Sequence, residues 1–102
     1  MVLRQLARQD VDEAIAYHLQ EAGQAVTLGF VDSLEHALHH IAKHPKTGSP
    51  RYAVELDLPG IRMCPLNRYP YLIFYIEQVH HVDVWRILHA QRHIPAWLQE
   101  TT

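Results

Sequence analysis

The sequence predicts an α+β fold: an N-terminal antiparallel helical hairpin packed on one face of a mainly antiparallel sheet of four to five strands, with a short C-terminal helix. Three observations lead there. Apolar residues recur at three- and four-residue steps as far as Lys43. From about Tyr52 onward the pattern changes to short β-branched and aromatic runs between turn signals. Helices gathered ahead of the strands, rather than alternating with them, indicate segregated layers. The 102 residues suit a single domain over 1–102, and 48% apolar with 20% charged residues is a globular balance.

Val2 to Leu6 is a candidate N-terminal strand. Asp10 to Ala22 reads as the first helix, because Val11, Ala14, Ile15, His18 and Ala22 share one face. Asp10 with Glu13 three residues on resembles a capping box, which would start the helix there. Gly23 ends it and leaves so short a connection that the next helix must fold back. That second helix spans about Gln24 to Lys43. Phe30, Leu34, Ala37, Leu38 and Ile41 form its inner stripe, while Asp32, Glu35, His36, His39, His40 and Lys43 face outward. Pro45 disfavours the α region at His44, so the helix stops by there.

Tyr52 to Leu58, Ile61 to Leu66, Tyr71 to Glu77 and Val82 to Leu88 read as strands. Tyr71 to Ile76 is apolar on both faces, as a central strand with cover on each side must be. Arg62 and Arg86 interrupt otherwise apolar strands, so each needs a partner or a solvated face. Pro95 suits the start of a final helix, Pro95 to Glu100.

Several classes of function fall away at this level. Nine Lys and Arg against eleven Asp and Glu give a formal net charge of −2. Direct nucleic-acid binding is not expected from a chain without a cationic footprint. Cys64 is the lone cysteine and no Cys/His zinc pattern exists. The longest apolar run, Tyr71 to Ile76, falls far short of the roughly 20 residues of a membrane helix. Arg8, Asp10, Asp12 and Glu13 stand where a secretory leader would be apolar. A cytoplasmic protein that needs no cofactor is the expectation.

Taken in order, the motifs resemble one family. Ala7-x-x-Asp10-Val11-x-x-x-Ile15-x-Tyr17, then Glu21-x-Gly23, resembles the first helix of ParE-type toxins in the RelE/ParE superfamily. Pro45-x-x-Gly48-x-x-Arg51 is similar to that family's link between hairpin and sheet. Ile61-Arg62 and Tyr69-Pro70-Tyr71-Leu72-Ile73-Phe74-Tyr75 resemble its middle strands. Arg86-Ile87-Leu88-His89-Ala90-x-Arg92 resembles its last strand and the following turn. His93 departs from the pattern, in which an acidic residue commonly follows the Arg.

The resemblance implies the toxin of a type II toxin–antitoxin (plasmid stabilisation) system, neutralised by a ParD-like antitoxin in a toxin–antitoxin hetero-oligomer. RelE-like relatives cleave messenger RNA on the ribosome, whereas ParE-like ones poison DNA gyrase. RNA cleavage without metal needs a base, a charge stabiliser and an acid. Leu72 stands where RelE-like nucleases carry a catalytic Arg, and leucine can neither pair with phosphate nor move a proton. A gyrase poison is therefore the expectation, with no catalytic residues. The alternatives are a ribosome-dependent endonuclease using Arg86, His89 and Arg92, and a non-toxic or metal-responsive binding module.

For contact with acidic antitoxin groups the candidates are Arg62, Arg86 and Arg92, because a guanidinium forks onto a carboxylate. For the target they are Arg86, His89, Arg92 and Trp97. The chain has nine histidines, of which His36, His40 and His44 follow i, i+4, i+8. Such spacing can bind a transition metal, but no motif fixes a third ligand, so a solvated helix face is expected instead.

Overall fold

The computed structural model describes residues 1–99. Its elements are β1 (Val2–Leu3), α1 (Gln5–Ala22), α2 (Gln24–Lys43), a 3₁₀ turn (Pro45–Thr47), α3 (Arg51–Glu55), β2 (Ile61–Pro65), β3 (Tyr71–Glu77), β4 (Val82–His89) and α4 (Ile94–Gln99). The four strands form one sheet in the order β1-β4-β3-β2, parallel between β1 and β4 and antiparallel elsewhere. This is the expected α+β arrangement of a helical hairpin, a sheet and a short last helix.

Gly23 makes the hairpin. At φ 88° it occupies backbone space that side chains avoid, and its N–H closes α1 on the carbonyl of His18 at 3.0 Å. α1 and α2 then lay Ala7, Ala14, Phe30, Leu34 and Ile41 on one face of the sheet, against Tyr71, Ile73 and Tyr75 of β3 and Val82, Val84 and Ile87 of β4. The opposite face carries Ile61, Phe74 and Leu88, covered by Ile94 and Leu98 of α4 and by Tyr52 and Leu56 from the α3 region. β3 is thus buried on both sides, as its unbroken apolar run requires.

β4 does not alternate simply. Tyr75 lies opposite Val84 but Phe74 lies opposite Arg86, so Trp85 is an extra residue in a bulge. The bulge resets the period: Ile87 joins Val82 and Val84 under the hairpin, while Trp85 and Leu88 share the other side.

Two expectations are corrected. Tyr52 to Leu58 is not a strand. Its first part is α3, which places Tyr52, Ala53 and Leu56 against the second cluster, leaves Val54 83% exposed, and pairs Arg51 with Glu55 across one turn at 3.1 Å. α1 starts at Gln5 rather than at Asp10, so Asp10 and Glu13 form no capping box. Asp10 is instead a buried residue in mid-helix. The C-terminal helix runs from Ile94 to Gln99, and Glu100, its expected last residue, lies outside the described residues.

Candidate functional site

A carboxylate in the middle of a helix's buried face needs a cation. Asp10 has one in Arg86. Nη2 and Nε of Arg86 donate to Oδ1 and Oδ2 of Asp10, each at 2.7 Å, with 4% and 8% of the two side chains exposed. The Ile87 N–H donates to Oδ2 of Asp10 at 3.0 Å, so one carboxylate holds both a charge and a backbone amide of the sheet. The remaining branch of Arg86, Nη1, donates to the carbonyl oxygen of Trp97 at 3.1 Å. This single pair joins α1, β4 and α4.

The sequence makes Arg86 a candidate contact residue, and burial places it behind the surface instead. Its guanidinium is engaged by Asp10 and Trp97 and supports what lies outside it. Arg62 also stands apart. It lies on β2 opposite Tyr75, level with Val84 in the β3–β4 ladder, away from the end that carries His89. Its Nη1 donates to the carbonyl oxygens of Gly48 at 2.8 Å and Lys46 at 3.2 Å. The three arginines therefore do not share one face.

His89, Arg92 and Trp97 do come together. Beyond the end of β4 the Arg92 N–H donates to the His89 carbonyl at 3.0 Å, and the Ala90 N–H to the Pro70 carbonyl at 2.7 Å, which fixes the turn. The Arg92 guanidinium lies 4.1 Å over the Trp97 ring, while that of Arg86 lies 5.4 Å from it. Trp97 thus bridges a buried and an exposed guanidinium. Among the described residues no carboxylate lies within ion-pair distance of Arg92.

Arg92 and His89 rim a cleft of about 300 Å³ whose lining includes Glu13 and Tyr17 of α1 and Tyr71 of β3. Burial raises the Tyr71 phenol above its ordinary pKa, with the charge of Arg92 acting in the opposite direction. The phenol therefore stays a neutral donor. His89 packs edge-on against Tyr71, ring centroids 5.1 Å apart, and its Nδ1 accepts the Gln91 N–H at 3.1 Å. That bond requires a lone pair on Nδ1, so the neutral ring carries its hydrogen on Nε2 and presents a donor. Arg92 and the Nε2–H of His89, which both line the cleft, are donors, and they suit an anionic group.

The sequence profile of the ParE toxin of type II toxin–antitoxin systems, parDE, matches residues 1–94. The chain belongs to the ParE toxin family. Among solved structures it is similar to the chromosomal ParDE TA system from P. aeruginosa, with a TM-score of 0.73 and 18% identity over 87% of this chain and 92% of that one. At that identity the likeness is one of fold. No curated protein sequence matches the chain.

In this ParE toxin, Leu72 pairs with Leu88 and Pro65 and packs in the cluster under α4. Of the residues that the sequence singles out, His89, Arg92 and Trp97 are the ones that lie together, whereas Asp10, which the sequence assigns to a helix cap, is the buried partner of Arg86. A signal was present. Asp10 lies on the Ala7, Ala14 and His18 stripe of α1, and a carboxylate there implies a buried cation such as the Arg86 that interrupts an apolar strand. No helix among the described residues is long and apolar enough to cross a membrane.

Proposed function

We propose that this ParE-family chain is a toxin that acts in the cytoplasm by occupying a surface of DNA gyrase, and that a ParD-type antitoxin neutralises it. One observation carries the reading: of the side chains that could have formed a phosphate-cutting set, Arg86 and His89 are already engaged. Arg86 is bound through Nε and Nη2 to Asp10 and through Nη1 to the Trp97 carbonyl. Leu72 is a packing residue of the sheet. A general base must accept a proton, and the free lone pair of His89 already faces the Gln91 N–H. The exposed remainder, Arg92 stacked on Trp97 beside the His89 donor, is a cationic and aromatic surface of the kind that anchors protein interfaces.

An antitoxin segment with a carboxylate would find Arg92, which no carboxylate among the described residues pairs, at the rim of the cleft with Trp97 beside it. The likeness in fold to a chain of the chromosomal ParDE TA system from P. aeruginosa supports a partner of this type. Arg62 is a second contact, with its Nη1 already holding two backbone carbonyls.

Induced expression with separate readouts of DNA and protein synthesis tests the target. Early loss of DNA synthesis, with gyrase supercoiling inhibited by purified chain, is the expected result. An immediate halt in translation with cut transcripts would replace gyrase by the ribosome. Arg92→Ala tests the surface. Loss of an exposed hot-spot cation should weaken antitoxin binding by about 1–3 kcal/mol, or about 5- to 150-fold, and calorimetry on the antitoxin complex measures it.

A further inference from the structure

We propose that the C-terminal end of α2 binds a divalent late-transition-metal ion through the imidazoles of His40, in its last turn, and His44, the residue that caps it. The site is separate from the cleft of Arg92 and independent of the toxin reading. The two residues are four apart and joined by the His44 N–H bond to the His40 carbonyl at 2.8 Å, with ring centroids separated by 5.2 Å and planes inclined by 47°. A ligating imidazole nitrogen lies about 2.0–2.1 Å from such an ion, which puts its ring centroid about 3.2 Å away. Centroids 5.2 Å apart then subtend about 110° at a shared ion, close to the tetrahedral angle. Both residues are exposed, so an ion reaches them without disturbing the core.

Thr47 prepares one ligand. Its hydroxyl donates to the carbonyl oxygen of His44 at 2.8 Å and has only lone pairs left for Nε2 of His40, a long contact at 3.5 Å. With its hydrogen on Nε2, His40 has Nδ1 free to ligate. An N–H held by an oxygen behind a ligating imidazole is the usual support for such a ligand. The helix end helps as well, because unsatisfied carbonyls give the last turn a partial negative charge.

The donor set selects the ion. Two neutral imidazoles with no carboxylate between them suit Ni²⁺, Cu²⁺ or Zn²⁺ and give little to Mg²⁺ or Ca²⁺, which want oxygen. Among the described residues no three His, Cys, Asp or Glu side chains converge on one point. The site is accordingly an open two-imidazole chelate whose other positions take water when the ion binds. His40 also lines a groove of about 650 Å³ along α2, with Asp32, His36, Cys64 and Arg68. An ion on His40 and His44 stands beside that groove, where a molecule lying in it can supply a further donor atom.

The test uses the full chain without an affinity tag, titrated with Ni²⁺ by calorimetry. One ion should bind per chain. His40→Ala and His44→Ala should each lose more than about tenfold in affinity, since even the partners behind a ligand are worth that much. His39→Ala, exposed on the same helix but with no imidazole four residues away, should bind as the parent does. Both ligand variants are surface changes, and unchanged circular dichroism confirms that they fold. Nuclear magnetic resonance line broadening by Ni²⁺ should centre on residues 40–47. No binding at millimolar Ni²⁺, full affinity in either ligand variant, or broadening centred on His80 and His81 overturns the proposal.

Discussion

Asp10 and Arg86 show how one pair of residues can set both stability and the shape of the surface. Burying two charges is costly, and the cost is recovered here by a two-pronged bridge, the Ile87 amide and the Trp97 carbonyl. Removing one partner strands the other. Asp10→Ala should therefore destabilise the fold by about 3–5 kcal/mol, whereas the double change Asp10→Leu with Arg86→Met should recover most of that loss. Urea denaturation of the three proteins measures it, and equal losses in the single and double variants would show that the pair is not what holds α1 to β4. Arg86 lies 5.4 Å from the ring on which Arg92 stacks, so Asp10→Ala should also disorder the proposed contact surface without touching any partner. Half of this arrangement was legible in the sequence. Arg86 in an apolar strand demanded a partner, but the Asp10–Glu13 spacing imitated a helix start and hid which residue it was. A local cap signal and a long-range charge demand competed for one carboxylate, and the long-range demand decided its environment.

At the level of elements, the sequence was readable where one periodicity acted over many residues. The stripe from Phe30 to Ile41 defined α2, and the apolar run from Tyr71 to Ile76 defined the two-sided strand β3. It misled over Tyr52 to Leu58, where Tyr52 and Val54 carry β propensity but packing selects a helix. The overlooked sign was the Arg51–Glu55 spacing, a pair that meets only across a helical turn. The same segment explains how the open edge of β2 is closed. Ser49 exchanges both backbone bonds with Met63 at 2.8 and 2.9 Å, the Ile61 N–H donates to the Leu58 carbonyl at 3.2 Å, and Pro65 has no N–H to offer. An incoming strand finds few free groups there, which protects the molecule from edge-to-edge association. Gly48 lets this linker approach. The Tyr75 hydroxyl donates to the Pro45 carbonyl at 2.7 Å and accepts the Gly48 N–H at 3.0 Å, in the space that a Cβ at Gly48 would fill. Gly48→Ala should push the linker off the sheet, cost about 1–3 kcal/mol in urea denaturation, and leave the Met63 amide faster in hydrogen exchange. Unchanged exchange at Met63 would show that the linker does not guard this edge.

The described residues form one sheet with a core on each face, so anything that loosens β3 loosens both. Two ionisable phenols sit on that strand, and burial raises the pKa of each, Tyr71 and Tyr75, above the ordinary value of 10.0. For Tyr75 the Gly48 N–H bond acts against that rise without cancelling it. The consequence for stability has a definite sign. Below pH 10 folded and unfolded chains both hold these protons, and the neutral phenols contribute fully to the fold. Above that value the unfolded chain releases its protons while the folded chain still keeps them, so stability must fall as pH rises through the folded values. Cys64 acts in the same direction, since burial raises its thiol above 9.0, and a Cys64→Ala background isolates the phenols. In that background the unfolding free energy, measured in urea at steps from pH 8 to pH 11, should be flat at first and then decline. Tyr75→Phe will start from a lower stability because its two hydrogen bonds are gone, but its decline above pH 10 should be shallower. Parallel slopes in the two proteins would mean that the phenol of Tyr75 is as free to ionise in the folded chain as in the unfolded one, and that the linker, not the proton, is what its burial protects.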